Sequence, residues 1–148
     1  TSFNAFEHLP DPTRAFAELS RVLKPHGFAY LDFGPLYCSG WGLHAYRSLR
    51  MPYAQFLFSE DFILQKLQKL GISDLGEERA SLQYCNGWKL GQYKRLWSGD
   101  SFRKIEESYS SAPSHVELAL EYPESFRGRG LTFGDLVSSH VRVMVQKV

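Results

Sequence analysis

Only two of the 148 residues are cysteines, Cys38 and Cys85, and they form neither a metal-ligand spacing nor a disulfide framework. No charge of one sign dominates: 17 Lys and Arg stand against 16 Asp and Glu, a formal net charge of +1. That balance argues against a nucleic-acid binder that works by bulk electrostatics. No apolar run approaches the length that spans a bilayer, and no signal peptide opens the chain. The sequence therefore predicts a soluble, cytoplasmic protein with no membrane partner. Internal repeats, low-complexity tracts and an obvious domain boundary are lacking as well. What is present suits a packed domain, because hydrophobic residues make up 43% and charged ones 22%, enough apolar surface for a sizeable core. The first residue is Thr rather than Met, as expected of a processed product, a recombinant piece or a fragment of a longer protein.

Thr1 to Ala5 have the character of the carboxyl end of a strand. Asp11 is then a suitable N-cap and Pro12 a suitable first helical residue, since a proline loses no hydrogen bond there. Phe16, Leu19, Val22 and Leu23 recur at helical spacing and predict one apolar face. Pro25 disfavours helical geometry at Lys24, and Gly27 permits the following turn. "FAYLDF" (28–33) predicts a short strand covered on both faces. Strand, helix, strand suggests a parallel pair with a crossover.

Positions 34–58 differ in kind, with three glycines, two prolines and a run of rings from Tyr37, Trp41, His44, Tyr46, Tyr53, Phe56 and Phe58. So long an irregular segment in a compact domain is usually functional or mobile. Ser59 predicts a helix cap, with Glu60 and Asp61 in the first turn, Lys66 and Lys69 in the last and Gly71 after it. Positions 72–85 fit a short strand or a loop. Asn86 is expected to cap a helix through Trp97, with Leu90, Tyr93, Leu96 and Trp97 as its apolar side. "SFRKIEESYS" is a strand candidate, and short helices are expected near His115–Tyr122 and Thr132–Val137. The chain closes on alternation, Val141, Val143 and Val145 against His140, Arg142, Met144 and Gln146, which predicts a half-buried antiparallel strand.

"FEHLPDPTRAFAELSRVLKPHGFAYLDF" resembles the second half of class I S-adenosylmethionine-dependent methyltransferases, of the type 11 kind. The residues that carry the resemblance are the Glu7-His8 turn and the helix signature Glu18, Leu19, Arg21, Val22, Leu23, Lys24, Pro25 and Gly27. His26 stands where that signature usually has glycine. "GPLYCSGWGLHAY" and "MPYAQFLFSEDFI" resemble a subgroup of the same family, so the likeness is densest over positions 3–63 and a matter of layout beyond. The resemblance implies an α/β fold: the carboxyl half of a Rossmann-like sheet, with parallel strands, flanking helices and an antiparallel last strand. The family's Gly-rich cofactor turn and the acidic residue after its second strand have no counterpart. Neither Gly40-Trp41-Gly42 nor Gly128-Arg129-Gly130 follows a buried strand and opens a helix. Residues 1–148 are therefore expected to be a partial methyltransferase domain lacking its first strands.

In open α/β sheets ligands bind beyond the carboxyl ends of the strands, which puts the Glu7-His8 turn and the Asp32–Pro35 turn on the binding rim. His8 is the candidate general base for a substrate hydroxyl or amine, since imidazole titrates near neutrality. Glu7 and His8 can also simply orient the turn. A divalent-metal site on the pair is a third alternative, weakened because Asn4 stands where some relatives carry a further carboxylate; no metal ligand is assigned. By resemblance, Phe3, Asn4 and Ala5 lie near the methionine end of the S-adenosylmethionine cofactor. Glu7, Tyr37, Trp41 and His44 are assigned to the site of a small-molecule acceptor, although the same rings suit a packed lid. His26, His115 and His140 receive no role. Cys38 has no neighbour in sequence that would activate a thiol, and the clusters at 93–95 and 127–130 are expected on the surface. The expected function is methyl transfer, with this chain as the carboxyl-terminal portion and inactive alone. The alternative is a non-catalytic α/β interaction module that keeps the scaffold.

Overall fold

The computed structural model describes residues 1–75 and 79–148. The chain begins in strand β1 (Ser2–Phe3), passes a 3-10 turn at Phe6–His8 and enters helix α1 (Pro12–Val22). The Asp11 carboxylate accepts the Arg14 backbone N–H, and Pro12 occupies a position that needs no N–H. Phe16 is buried, with Leu19 and Leu23 packed beside it, but Val22 is 64% exposed. At about 100° per residue Val22 lies roughly 120° round the helix from Phe16, which takes it off the apolar stripe. His26 then adopts a left-handed φ of 62° in the turn to β2 (Phe28–Phe33), a conformation that glycine enters without strain.

The segment after β2 is a succession of turns ending in α2 (Ala54–Leu57). Helix α3 (Glu60–Lys69) starts where expected, with the Ser59 hydroxyl accepting the Phe62 N–H. The described residues of 72–85 contain no strand, while 76–78 lie outside the described residues. Next come α4 (Leu90–Leu96), β3 (Phe102–Ser110), α5 (Pro113–Glu121), α6 (Phe133–Val137) and β4 (His140–Lys147).

The sheet order is β1-β2-β4-β3. β1 runs parallel to β2, and β4 lies between β2 and β3, antiparallel to both. The chain is thus a mixed α/β fold with the expected parallel pair and antiparallel last strand. The alternation of β4 sends Val141, Val143 and Val145 into one core with Ala29, Leu31 and Phe33 of β2 and Tyr93 and Trp97 at the α4 end. Such burial contributes roughly 1.5–3 kcal/mol for each large side chain.

Four expectations need correction. β2 is covered on one face only: Phe28 is exposed and Tyr30 and Asp32 are half-buried. Asp32 is not explained by a rim position, because its carboxylate accepts the Nε–H of Arg142 at 3.0 Å from the residue opposite it in the ladder. Asn86 is not a helix cap. Its Nδ2 donates to the carbonyls of Phe6 (2.7 Å) and Leu9 (3.1 Å), and its Oδ1 accepts from the Trp88 N–H and the Tyr93 hydroxyl. In the cluster at 93–95 expected on the surface, Tyr93 is buried instead, in keeping with its place on the apolar side of the helix.

Gly40 and Gly42 have a packing role in the aromatic segment. A Cβ on Gly42 would sit 1.9 Å from the Tyr37 carbonyl oxygen, and one on Gly40 would sit 2.6 Å from the His115 ring. Since a backbone carbonyl cannot rotate away as a side chain can, Gly42→Ala is expected to cost about 3 kcal/mol. Urea unfolding checks this, and a midpoint equal to wild type would refute the packing argument.

Candidate functional site

The carboxyl ends of β1 and β2 meet at one polar cavity of about 300 Å³, lined by Asn4, Glu7, His8, Gly34, Pro35, His44, Tyr46, Arg47, Leu75, Arg79 and Gln83. A groove of about 600 Å³ between α1 and α4 is larger, but the single charged side chain among its lining residues is Arg95. The titratable side chains gather at the polar cavity.

Glu7 is its anchor. The 3-10 turn drives the Glu7 side chain inward until it is 1% exposed. Oε1 accepts the Gly34 N–H at 3.0 Å, while Oε2 is buried with no partner among the described residues. Burial raises the Glu7 pKa, against the pull of two backbone donors and of His8. The Glu7 carbonyl accepts the Asn86 N–H at 2.9 Å, so the turn is fixed from both sides.

A carbonyl holds one nitrogen of each histidine ring. His8 Nδ1 lies 2.6 Å from the Tyr84 carbonyl oxygen. A carbonyl only accepts, so Nδ1 carries a hydrogen, and Nε2 lies 3.7 Å from Glu7 Oε1. His44 Nε2 lies 2.7 Å from the Pro35 carbonyl oxygen, so that nitrogen donates and Nδ1 keeps its lone pair. The rings meet edge to face with centroids 4.6 Å apart. Burial pushes the His44 pKa down to about 4, so it is a neutral imidazole at physiological pH. Both thiols are out of play, since burial lifts Cys38 to about 11 and Cys85 to about 12.

The cavity therefore brings together Asn4, Glu7, His8 and His44. Phe3 is 61% exposed and packs on Tyr30 with centroids 5.8 Å apart, and Ala5 is half-buried. Tyr37 and Trp41 are not among the lining residues. The Tyr37 ring meets Phe56 at 6.4 Å, and Trp41 sets its edge against His115 at 5.2 Å. Their rings are spent on burying the aromatic segment, and Trp41 approaches the cavity only through Tyr46, 6.3 Å away. Tyr46 and Arg47 were missed as cavity residues although they stand two and three positions after His44. Arg79 had no local signal.

The His44 shift has a pH consequence. Its folded pKa of about 4 lies below the ordinary 6.5, so the unfolded chain takes up the proton first. Stability is full above pH 6.5 and falls by about 3 kcal/mol as pH drops towards 4, at 1.36 kcal/mol per pKa unit. His115 and His140, also lowered by burial, act in the same direction, and the raised Glu7 carboxyl acts in the opposite one. His44→Asn, a residue that tolerates the left-handed φ of 56°, should flatten urea midpoints across that range. An unchanged pH slope would contradict the assignment.

Comparison with a family model bears on the amino-terminal fifth of the chain. Residues 1–31 match the family model described as "Methyltransferase domain". Among solved structures, a protein assigned as a sarcosine dimethylglycine methyltransferase from Galdieria sulphuraria aligns at 17% identity, over 98% of this chain and 51% of that one, with a TM-score of 0.42. The chain thus spans about half the length of that protein. No curated protein matches the sequence. The resemblance to class I methyltransferases is borne out where the family model matches, across β1, the Glu7-His8 turn, α1 and the entry of β2.

Proposed function

We propose that this chain is the carboxyl-terminal part of an S-adenosylmethionine-dependent methyltransferase, and that the rim cavity receives the methyl acceptor. The observation that carries the reading is the placement of His8 Nε2 beside the buried Glu7 carboxylate, where parallel strands end and ligands of such sheets bind. The described residues suit only the methionine end of the cofactor: Asn4 lines the cavity with a left-handed φ of 46°, and Phe3 is open beside it. When bound, the cofactor supplies the sulfonium methyl that is transferred.

The work left to this chain is orientation and proton transfer. His8 Nε2 takes the proton of an acceptor hydroxyl or amine as that atom becomes bonded to the methyl group, and the adjacent Glu7 carboxylate stabilises the imidazolium. The Tyr84 carbonyl holds His8 Nδ1–H, so the ring cannot turn its lone pair away. Arg47 and Arg79, on the cavity wall, suit an acceptor that carries an anionic group. No helix among the described residues is long and apolar enough to cross a membrane.

The test uses the natural protein that contains this chain. It should bind S-adenosylmethionine in calorimetry and release S-adenosylhomocysteine with a hydroxyl- or amine-bearing acceptor. His8→Gln should lower kcat by about 10²–10⁴-fold with the cofactor affinity unchanged. A protein that fails to bind the cofactor would point to the interaction module instead. Full activity in His8→Gln would remove the base.

A further inference from the structure

We propose that Glu7, His8 and His44 form a binding site for one first-row divalent cation of the zinc type, with an open coordination position facing the rim cavity. One donor atom from each residue already lies within 4.8 Å of those of the other two. Sequence gave no reason to add His44 to the Glu7-His8 pair. The fold does so by giving His44 a left-handed backbone, with φ of 56°, directly above the turn.

Three independent features point to a ligand rather than to an accidental cluster. Glu7 Oε2 is buried and unpartnered, which is costly for a carboxylate unless something cationic or a donor meets it. His8 donates through Nδ1 to the Tyr84 carbonyl, and His44 through Nε2 to the Pro35 carbonyl. Metal-binding histidines show the same outer arrangement, one ring nitrogen tied to a carbonyl and the other left for a ligand. The set is also chemically coherent. Two imidazoles and one carboxylate suit zinc and its first-row neighbours, while magnesium and calcium prefer all-oxygen sites.

The geometry needs little adjustment. Zinc bonds of about 2.0–2.1 Å place tetrahedral donors roughly 3.4 Å apart, and His8 Nε2 is already 3.7 Å from a Glu7 oxygen. Side-chain rotations of the order of 1 Å bring the third donor in. Three protein ligands leave the fourth position to water or to the acceptor. Arg47 and Arg79 on the same wall favour an anionic fourth ligand, such as an acceptor carboxylate or alkoxide. With the cation bound His8 would be a ligand and not the base; the cation would lower the pKa of a hydroxyl bound to it, and the proton would pass to solvent water. The site stands on its own geometry and does not require the methyl-transfer reading.

The experiment is a calorimetric titration of Zn²⁺ into the natural, untagged, metal-stripped protein, with Mg²⁺ as control and Co²⁺ followed by visible absorption. The expected result is a single site at micromolar affinity or tighter, the d–d bands of four-coordinate Co²⁺, and no heat with Mg²⁺. Glu7→Gln and His44→Asn should each weaken binding by at least about 100-fold, and Tyr37→Phe, outside the cavity, should not change it. If a variant fails to fold, wild-type NMR decides: on Zn²⁺ addition the ring signals of His8 and His44 should move and those of His26, His115 and His140 should stay. No saturable binding below about 1 mM, equal affinity in the variants, or shifts confined to the other histidines would overturn the proposal. Each of these results leaves the cofactor-binding test of the methyl-transfer reading untouched.

Discussion

The hydrogen bond from the Gly34 amide to the buried Glu7 carboxylate is the tie on which the rim depends. It joins the turn that follows β1 to the turn that follows β2, two segments that the sheet alone would only bring near each other. Removing a carboxylate from water is unfavourable, and one backbone donor offsets only part of that cost. Asn86 reinforces the tie by bonding the carbonyls of Phe6 and Leu9 on either side of Glu7 and His8. The turn is consequently held in place by long-range contacts rather than by its own sequence. His8 inherits its orientation from that arrangement, through the Tyr84 carbonyl two residues earlier in the same loop as Asn86.

Two packing units serve this rim. The sheet unit buries the apolar faces of β2 and β4 under α1 and α4 and supplies a rigid floor. A second unit gathers Leu43, Ala45, Ala54, Ile63, Leu67 and Leu75, and it fixes the stretch that carries His44. The glycines at 40 and 42 let the chain fold back tightly enough for this, and the rings of Tyr37 and Trp41 fill the space around it. His44 can therefore hold a left-handed backbone that by itself costs about 1 kcal/mol or more. Strain at a residue that faces a polar cavity is most simply understood as the cost of aiming its ring.

Local chemistry was legible in the sequence wherever it is settled within a few residues. Asp11 and Ser59 cap the helices they were expected to cap, and the alternation of 140–147 named the buried face of the last strand. Long-range partners were not legible. Asn86 looks like an N-cap because such residues often are, yet its side chain is claimed by carbonyls some eighty positions away. Asp32 looked like a rim residue, and only the β2–β4 register shows that Arg142 answers it. The pairing of His8 with His44 was half visible: both were singled out, but nothing local placed His44 on the cavity and Tyr37 and Trp41 off it.

The rim gathers Glu7, His8 and His44 around one cavity, with His8 Nδ1 tied to the Tyr84 carbonyl and His44 Nε2 to the Pro35 carbonyl. Long-range ¹H–¹⁵N NMR of the histidine rings at neutral pH measures this directly. The expected result is a hydrogen on His8 Nδ1 and on His44 Nε2, with the His44 ring neutral. The opposite tautomer at either residue, or rapid exchange between the two, would contradict it.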